Sequence, residues 1–454
     1  MSQVTVGEKL SKKTKFLYGI GDVGNALINS AVQFFLLKFF TDGALILPAL
    51  AGNALLIGKF WDAINDPLFG WITDRTNSPL GRRRVYMLFG AIPLAISVAL
   101  LWFVPEGMSQ LWTFVWIAGT FIFFDTMWTL TNVPYYALTS ELTDDYDERS
   151  ALTAYRMGLA VPAYLVGAAL TPMIVGFFAV QRTGWGFIGI IYGAICALVL
   201  LIAASGIRER KKVSDVKSET PPLKAFVATF KNKPFVRLCL TYLIVNLSFA
   251  LIKTLMAYYL EYQLSMKDEV SLVMGLMLVT VTVSLLFWKK IGEKLDKGPA
   301  YAMGMAIGAV GVAITFFLPH EPTWVIYLIA VMAGFGFGAN WIFPWAMVAD
   351  IADYDRLNTG EFRSGMYYGV WGLATKFSEA LAIAMVGWIL TGFGYVANVE
   401  QTVTSLLGIR LFFGPIPAVV ILAALPLLIW YPITRKSHAK VRAELDARDQ
   451  KPQS

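Results

Sequence analysis

Asp62, Asn65 and Asp66 stand three and four residues apart in the stretch Gly58 to Gly70, written G-K-F-W-D-A-I-N-D-P-L-F-G. On a helix that spacing puts all three side chains on one face. Two carboxylates and an amide offer hard oxygen atoms, which suit a small cation rather than a soft metal. The stretch is embedded in an apolar run, roughly 49–73, long enough to cross hydrocarbon at about 1.5 Å per residue. A carboxylate inside such a span is costly and must face a cavity, a cation or an opposite charge. The alternative to cation binding is that Asp62 and Asp66 neutralise basic side chains inside a bundle or sit near a water-filled mouth.

A second polar set lies in the fourth apolar run, where Asp125, Trp128, Thr129 and Asn132 fall within about two helical turns. Thr129 can add a neutral oxygen to Asp62, Asn65 and Asp66, while Asn132 and Trp128 can offer hydrogen bonds and a flat ring to a ligand. The plainer reading is that Thr129 and Asn132 bond neighbouring helices. Asp22 and Asn25 in the first run, Arg156 in the fifth, Trp345 in the tenth and Lys376 in the eleventh are the further polar, charged or aromatic candidates within the runs. Arg156 has a structural alternative, pairing with Asp125 or with an acid of the preceding loop. Lys376 lies about ten residues into its run and needs an anion or a carboxylate partner. For Lys38 and Lys59 the plain expectation is that they snorkel or face water.

Reading outward from these residues, twelve apolar runs position them: 16–40, 49–73, 86–104, 111–137, 152–178, 186–204, 235–259, 270–288, 300–317, 324–347, 366–391 and 408–431. The chain of 454 residues is 57% hydrophobic and 15% charged, too apolar for a soluble protein of that length. It is therefore expected to be an all-α membrane protein. Its net charge of +7 resides mostly in short loops, which argues topology rather than a nucleic-acid surface. Lysines and arginines crowd the N-terminus, the 2–3 and 8–9 loops, the 205–234 link and the tail, so both termini and the link are expected on the cytoplasmic side. The first apolar run is too long for the core of a signal peptide and is expected to be retained.

The halves echo each other. The loop G-W-I-T-D-R-T-N-S-P-L-G-R-R-R after the second run is matched by W-K-K-I-G-E-K-L-D-K-G after the eighth, and V-P-Y-Y-A-L-T-S-E-L-T-D-D-Y-D by F-P-W-A-M-V-A-D-I-A-D-Y-D. This is the pattern of a duplicated six-helix unit. The expected layout is an N-terminal bundle at 1–204, a cytoplasmic linker at 205–234, a C-terminal bundle at 235–431 and a tail at 432–454. No phosphate-binding G-x-x-x-x-G-K-[S/T] loop and no histidine pair or serine triad lies in the runs, which speaks against an ATP-driven pump or an enzyme. Cys196 and Cys239 have no metal-ligand spacing. No cofactor is expected, and a cation gradient is the remaining source of power.

W-D-A-I-N-D-P-L-F-G-W at 61–71, T-L-T-N-V-P-Y-Y-A-L at 129–138, E-R-S-A-L-T-A-Y-R-M at 148–157, A-D-I-A-D-Y-D at 349–355 and Lys376 carry a specific resemblance. The chain resembles the glycoside-pentoside-hexuronide:cation symporters, the major facilitator branch that contains the melibiose permease. It also resembles the sodium-coupled lysolipid transporters of animals. The resemblance implies the major facilitator fold, twelve transmembrane helices in two six-helix bundles, working as a monomer in a membrane such as the bacterial inner membrane. It implies that Asp62, Asn65, Asp66 and Thr129 bind Na⁺, with H⁺ as the alternative. It implies that Arg156 and Lys376 help place substrate or couple it to the cation. Ala26 and Asn132 stand where the melibiose permease has acids, so a galactoside is not the expected cargo. Expected cargoes are another sugar or glycoside, including an anionic one such as a hexuronide or sulfonated sugar, with a lysolipid as the alternative. A non-transporting sensor on the same fold is the reading from a different functional class. The expected mechanism is alternating access, with the basic 2–3 and 8–9 loops facing Asp144 to Asp147 and Asp350 to Asp355 as an ion-pair latch.

Overall fold

In hydrocarbon every backbone N–H and C=O must find a partner within the protein, and a helix satisfies them locally. The computed structural model describes residues 9–143, 146–207, 209, 229–360 and 364–449, and among these every regular element is helical. They are α1 (Lys12–Lys38), α2 (Pro48–Arg75), α3 (Arg84–Leu101), α4 (Gln110–Leu142), α5 (Tyr146–Gly176), α6 (Gln181–Gly206), α7 (Lys233–Tyr258) and α8 (Val270–Lys294). There follow α9 (Lys297–Ile314), α10 (Val325–Thr359), α11 (Ser364–Gly392), α12 (Val403–Phe413), α13 (Pro415–Ile429) and α14 (Arg435–Asp449). Ser11, Ser109, Asn232 and Thr402 cap α1, α4, α7 and α12 with their side-chain oxygens, each worth about 1 kcal/mol.

Eleven spans among the described residues are long and apolar enough to cross a membrane. Helix α2, with 28 residues, has the length to be a twelfth. It is left out of those eleven because Lys59, Asp62, Asp66, Asp74 and Arg75 interrupt its apolar character. The last run, expected as one helix at 408–431, is two. The chain breaks at Gly414 between α12 and α13, because Pro415 has no N–H for the carbonyl four residues earlier. Most of the linker, residues 208 and 210–228, lies outside the described residues.

By contacts the chain divides into two compact units. The first is Met1–Val216 with Asp268–Ser271 and Ile383–Gln401. Here α1 packs along α5 and α6, α2 against α4, and α3 against α4 and α6. The C-terminal end of α11 belongs to this unit, with a close crossing against α2. A Cβ on Gly387 would lie 2.3 Å from the Pro48 carbonyl oxygen, so only glycine lets the two backbones meet. Nearby, Trp388 donates to Asn53 at 2.9 Å and Thr391 accepts from the Ala49 amide at 2.9 Å. At the other end, Glu209 accepts the backbone N–H groups of Arg82, Arg83 and Arg84 at 2.6–2.8 Å. A carboxylate thereby covers the orphan amides at the start of α3. Glu141 at the end of α4 takes Arg82 at 2.5 Å and the buried Arg83 at 3.0 Å. Glu141 is thus one acid that the basic 2–3 loop engages, and the side chains of Asp144 to Asp147 lie outside the described residues.

The second unit is Lys217–Lys267, Leu272–Ala382 and Thr402–Ser454. Its core is α9 against α10 and α13, and α7 against α12 and α13. The tail is not loose chain, because α14 lies on α10. There His438 Nε2 is 3.1 Å from Asp353 and Arg442 3.7 Å from it, beside a Lys297–Asp350 pair at 2.6 Å.

The first helix of each half ends in the same way. Helix α1 runs into a π-turn at Phe39–Gly43 and α7 into one at Tyr259–Gln263. Each is closed by an i to i−5 bond, Ala44 to Phe39 at 2.9 Å and Leu264 to Tyr259 at 3.2 Å. Each is followed by a residue of positive φ, Leu45 at 58° and Ser265 at 54°. Lys38, expected to snorkel or face water, is held at the first of these turns by Asp42 at 2.5 Å. Tyr395 also donates to Asp42 at 2.6 Å, and Asn398 to its carbonyl at 2.7 Å.

Candidate functional site

The polar face of α2 forms as the spacing predicts, and α4 covers it. Register between the two helices is set by Trp61, whose indole donates to Thr126 at 2.9 Å, and by Gly58, whose missing side chain makes room for Phe121. Asp62 is 3% exposed, Asn65 0%, Thr129 1% and Asp125 3%, with Asp66 of intermediate exposure. Thr129 donates to Asp66 Oδ1 at 2.9 Å. Asn65 Nδ2 donates to the main-chain oxygen of Asp125 at 3.2 Å and to its Oδ2 at 3.4 Å. Asn65 Oδ1 is buried with no hydrogen-bond partner. Lys59 Nζ stands 3.8 Å from Asp62 Oδ2 and over the Phe121 ring, so it turns inward one helical turn before the acids. Pro67 has no N–H to give the carbonyl of Ala63, which leaves another oxygen in this turn without its helical donor.

In the N-terminal half of α1, side chains of α1, α4, α5 and α6 meet. Asp22 accepts from Asn25 at 3.3 Å and Tyr136 at 3.2 Å, and faces Arg156 Nε at 3.6 Å. Asn25 also donates to Asn132, whose own amide donates to the Trp128 carbonyl at 3.1 Å, and Cys196 approaches Asn25 at 3.6 Å. Arg156 lies over the Tyr136 ring at 4.9 Å. Tyr18 and Tyr135 stack at 5.0 Å behind them. Arg156 therefore pairs with Asp22 and not with Asp125. Helix α5 lies along α1, whereas Asp125 is turned toward α2.

The sequence-predicted residues thus fall into two clusters of the first unit, Asp62, Asn65, Asp66 and Thr129 in one, Asp22, Asn25, Asn132 and Arg156 in the other. Helix α4 joins them, because Thr129 reaches Asp66 and Asn132, three residues on, reaches Asn25. The Trp128 ring packs on Phe124 at 5.5 Å. Trp345 and Lys376 belong to the second unit. There Trp345 stacks on Tyr368 at 6.2 Å, and α11 carries Glu379, one turn after Lys376, in a 3.5 Å pair with Lys253. Beside these, Asn246 donates to Ser378 at 2.7 Å. Sequence reasoning missed Tyr136 and the orientation of Asp125. Tyr136 was signalled by its place four residues after Asn132. Among the described residues no three His, Cys, Asp or Glu side chains converge closely enough to hold a metal ion.

A model of the family described as MFS/sugar transport protein matches residues 17–435. The chain is 29% identical to a putative sulfoquinovose importer of Escherichia coli K12, over 98% of this chain and 95% of the importer. It is 26% identical to the sodium-dependent lysophosphatidylcholine symporter 1 of Gallus gallus, over 96% and 90%. Among solved structures, the xylose transporter XylE of E. coli in a partially occluded inward-open conformation superposes with a TM-score of 0.66, at 12% identity, covering 94% of this chain and 99% of that one. The fold is that of the major facilitator superfamily, all-α and membrane-spanning. With eleven membrane-length spans among its described residues and polar clusters between its helices, the chain belongs to the MFS/sugar transport protein family, as a secondary transporter of the symporter type.

Proposed function

We propose that this chain couples Na⁺ entry to uptake of a sugar or glycoside, within the glycoside-pentoside-hexuronide:cation group. The observation that carries the reading is Asn65 Oδ1, an acceptor buried without a partner on the helix face that also carries Asp62 and Asp66, the latter held by the Thr129 hydroxyl. A buried oxygen left without a donor is costly, and a bound Na⁺ satisfies it. A proton would need only one carboxylate oxygen and would leave the amide oxygen idle. Asp62, Asn65, Asp66 and Thr129 are accordingly proposed as the cation ligands.

Asp22, Asn25, Trp128, Asn132, Arg156, Trp345 and Lys376 are proposed as substrate contacts. Asp22 accepts hydroxyl donors and Arg156 donates to hydroxyl, carboxylate or sulfonate oxygens, so the pair suits a polyhydroxylated cargo, including an anionic one. Neutralising Asp62 and Asp66 with a cation relieves their repulsion and shifts Asp66 against Thr129. Because Thr129 and Asn132 ride on one rigid helix, that shift reaches Asn25 and Asp22. Coupling arises when Na⁺ and substrate favour the same conformer, with no bond made or broken. The proposed topology places both termini and the link in the cytoplasm of a bacterial cell, with one six-helix bundle on each side of the link.

The test is ligand binding to purified protein across neutral glycosides, uronic and sulfonated sugars and a lysolipid, each in Na⁺ and in choline at fixed pH. The expected result is a sugar whose affinity rises with Na⁺ and loses that rise in Asp66→Asn. A response to lysolipid alone would overturn the cargo, and dependence on pH with none on Na⁺ would overturn the coupling ion.

A further inference from the structure

We infer that Asp125 is a positioning residue for the cation site, acting by fixing which end of the Asn65 amide faces the cation. The inference rests on the reading of Asp62, Asn65, Asp66 and Thr129 as cation ligands. A carboxamide has a donor end and an acceptor end of nearly equal size, and only the acceptor end can bind a cation. Packing alone does not distinguish the two, so something must set the sense of the amide.

Asp125 supplies that distinction. It presents two acceptors to the donor end of Asn65, its own main-chain oxygen at 3.2 Å and carboxylate Oδ2 at 3.4 Å. Turned half a circle about its Cβ–Cγ bond, the amide would set Oδ1 against those two oxygens, one of them part of a carboxylate, and the repulsion forbids it. With Nδ2 engaged on α4, Oδ1 is left facing elsewhere, and it is there that it is found buried and without a partner. Asp125 lies one helical turn before Thr129 on the same face of α4. That single helix therefore orients the amide with one residue and contributes a hydroxyl with the other.

The geometry separates Asp125 from the ligands themselves. Asp62, Asp66 and Asp125 do not converge as a three-acid metal cluster, and Asp125 faces the amide rather than the hydroxyl-bonded Asp66. Its role is that of an outer partner which orders a ligand, a kind of contact whose loss typically weakens metal affinity by roughly 10–100-fold. Because the main-chain oxygen of residue 125 survives any substitution, the lower end of that range is expected.

The experiment uses Na⁺ alone as the probe and the full chain in detergent. Melting temperature is followed as Na⁺ is titrated against choline, which reads cation affinity without a known substrate. Expected are a roughly tenfold weaker apparent Na⁺ affinity in Asp125→Leu and near-parental affinity in Asp125→Asn, which keeps an acceptor for Asn65 Nδ2. The melting temperature in choline alone shows whether each variant is folded, and Asp125→Ala takes the place of Asp125→Leu if the latter is not. Parental affinity in Asp125→Leu would overturn the inference. So would equal losses in Asp125→Asn and Asp125→Leu, since charge and not orientation would then be at work. If instead the parent protein gains no stability from Na⁺, or Asp66→Asn keeps the full gain, the cation-site reading itself fails, and the inference falls with it for a distinguishable reason.

Discussion

Asp22 and Arg156 show what a charge pair in a membrane-spanning region requires of its neighbours. Their side chains are 10% and 18% exposed, and their nearest atoms are 3.6 Å apart, beyond a direct hydrogen bond. Asn25 and Tyr136 satisfy the carboxylate, and the Tyr136 ring covers the guanidinium. Removing one charge leaves the other buried without compensation, which costs about 3–5 kcal/mol in protein interiors. Asp22→Asn is therefore expected to lower stability by at least about 2 kcal/mol, allowing for partial exposure. Asp22→Asn combined with Arg156→Gln should recover part of that loss. A double-mutant cycle on melting temperature in detergent measures the coupling. The pairing itself could not be read from the sequence. Spacing along one chain places Asp62, Asn65 and Asp66 on a common face, but it carries no information on which helix lies beside α5. That is why Arg156 was as compatible with Asp125 as with Asp22 before the helices were packed.

At the scale of elements, runs of apolar residues reveal helices but not how they end or where they touch. The break at Gly414 lies inside a run whose one charge is Arg410, and the missing N–H of Pro415 announces it. The polar stripe of α2 was legible because three and four are helical intervals. Its contact with α4 was foreshadowed only by Thr129. The crossing of α2 with α11 at Gly387 could not be foreseen, since glycine is common in membrane helices for several reasons. Replacing Gly387 by Leu would drive a side chain into the Pro48 carbonyl, 2.3 Å from where its Cβ must lie. The expected cost is about 1–3 kcal/mol, with Trp388 pulled from Asn53 as the helices part. Loss of thermal stability, together with a change in the environment of Trp388 read by its fluorescence, checks the prediction. A Gly387→Leu protein as stable as its parent would show that α2 and α11 are free to separate at no cost.

For the whole molecule, symport is a statement about linked equilibria, and linkage is reciprocal. If saturating Na⁺ tightens sugar binding by some factor, saturating sugar must tighten Na⁺ binding by the same factor. Titrating each ligand in the presence and absence of the other by calorimetry should return equal factors. Unequal ones would mean a further coupled species, such as a proton taken up at the same time. The expected duplication of the chain rests on its loops, where basic residues and acidic-aromatic strings recur at matching places. The twin π-turns add something those strings do not. Phe39–Gly43 and Tyr259–Gln263 share no residue at any of their five positions, yet both close with the same backbone bonds and both throw the next residue but one into positive φ. Neither Leu45 nor Ser265 is a glycine, although the left-handed conformation costs other residues roughly 1–2 kcal/mol. Side-chain chemistry thus offers no common reason for the shape. Descent from one duplicated six-helix chain would supply one, the turn being inherited as backbone while every side chain in it was exchanged.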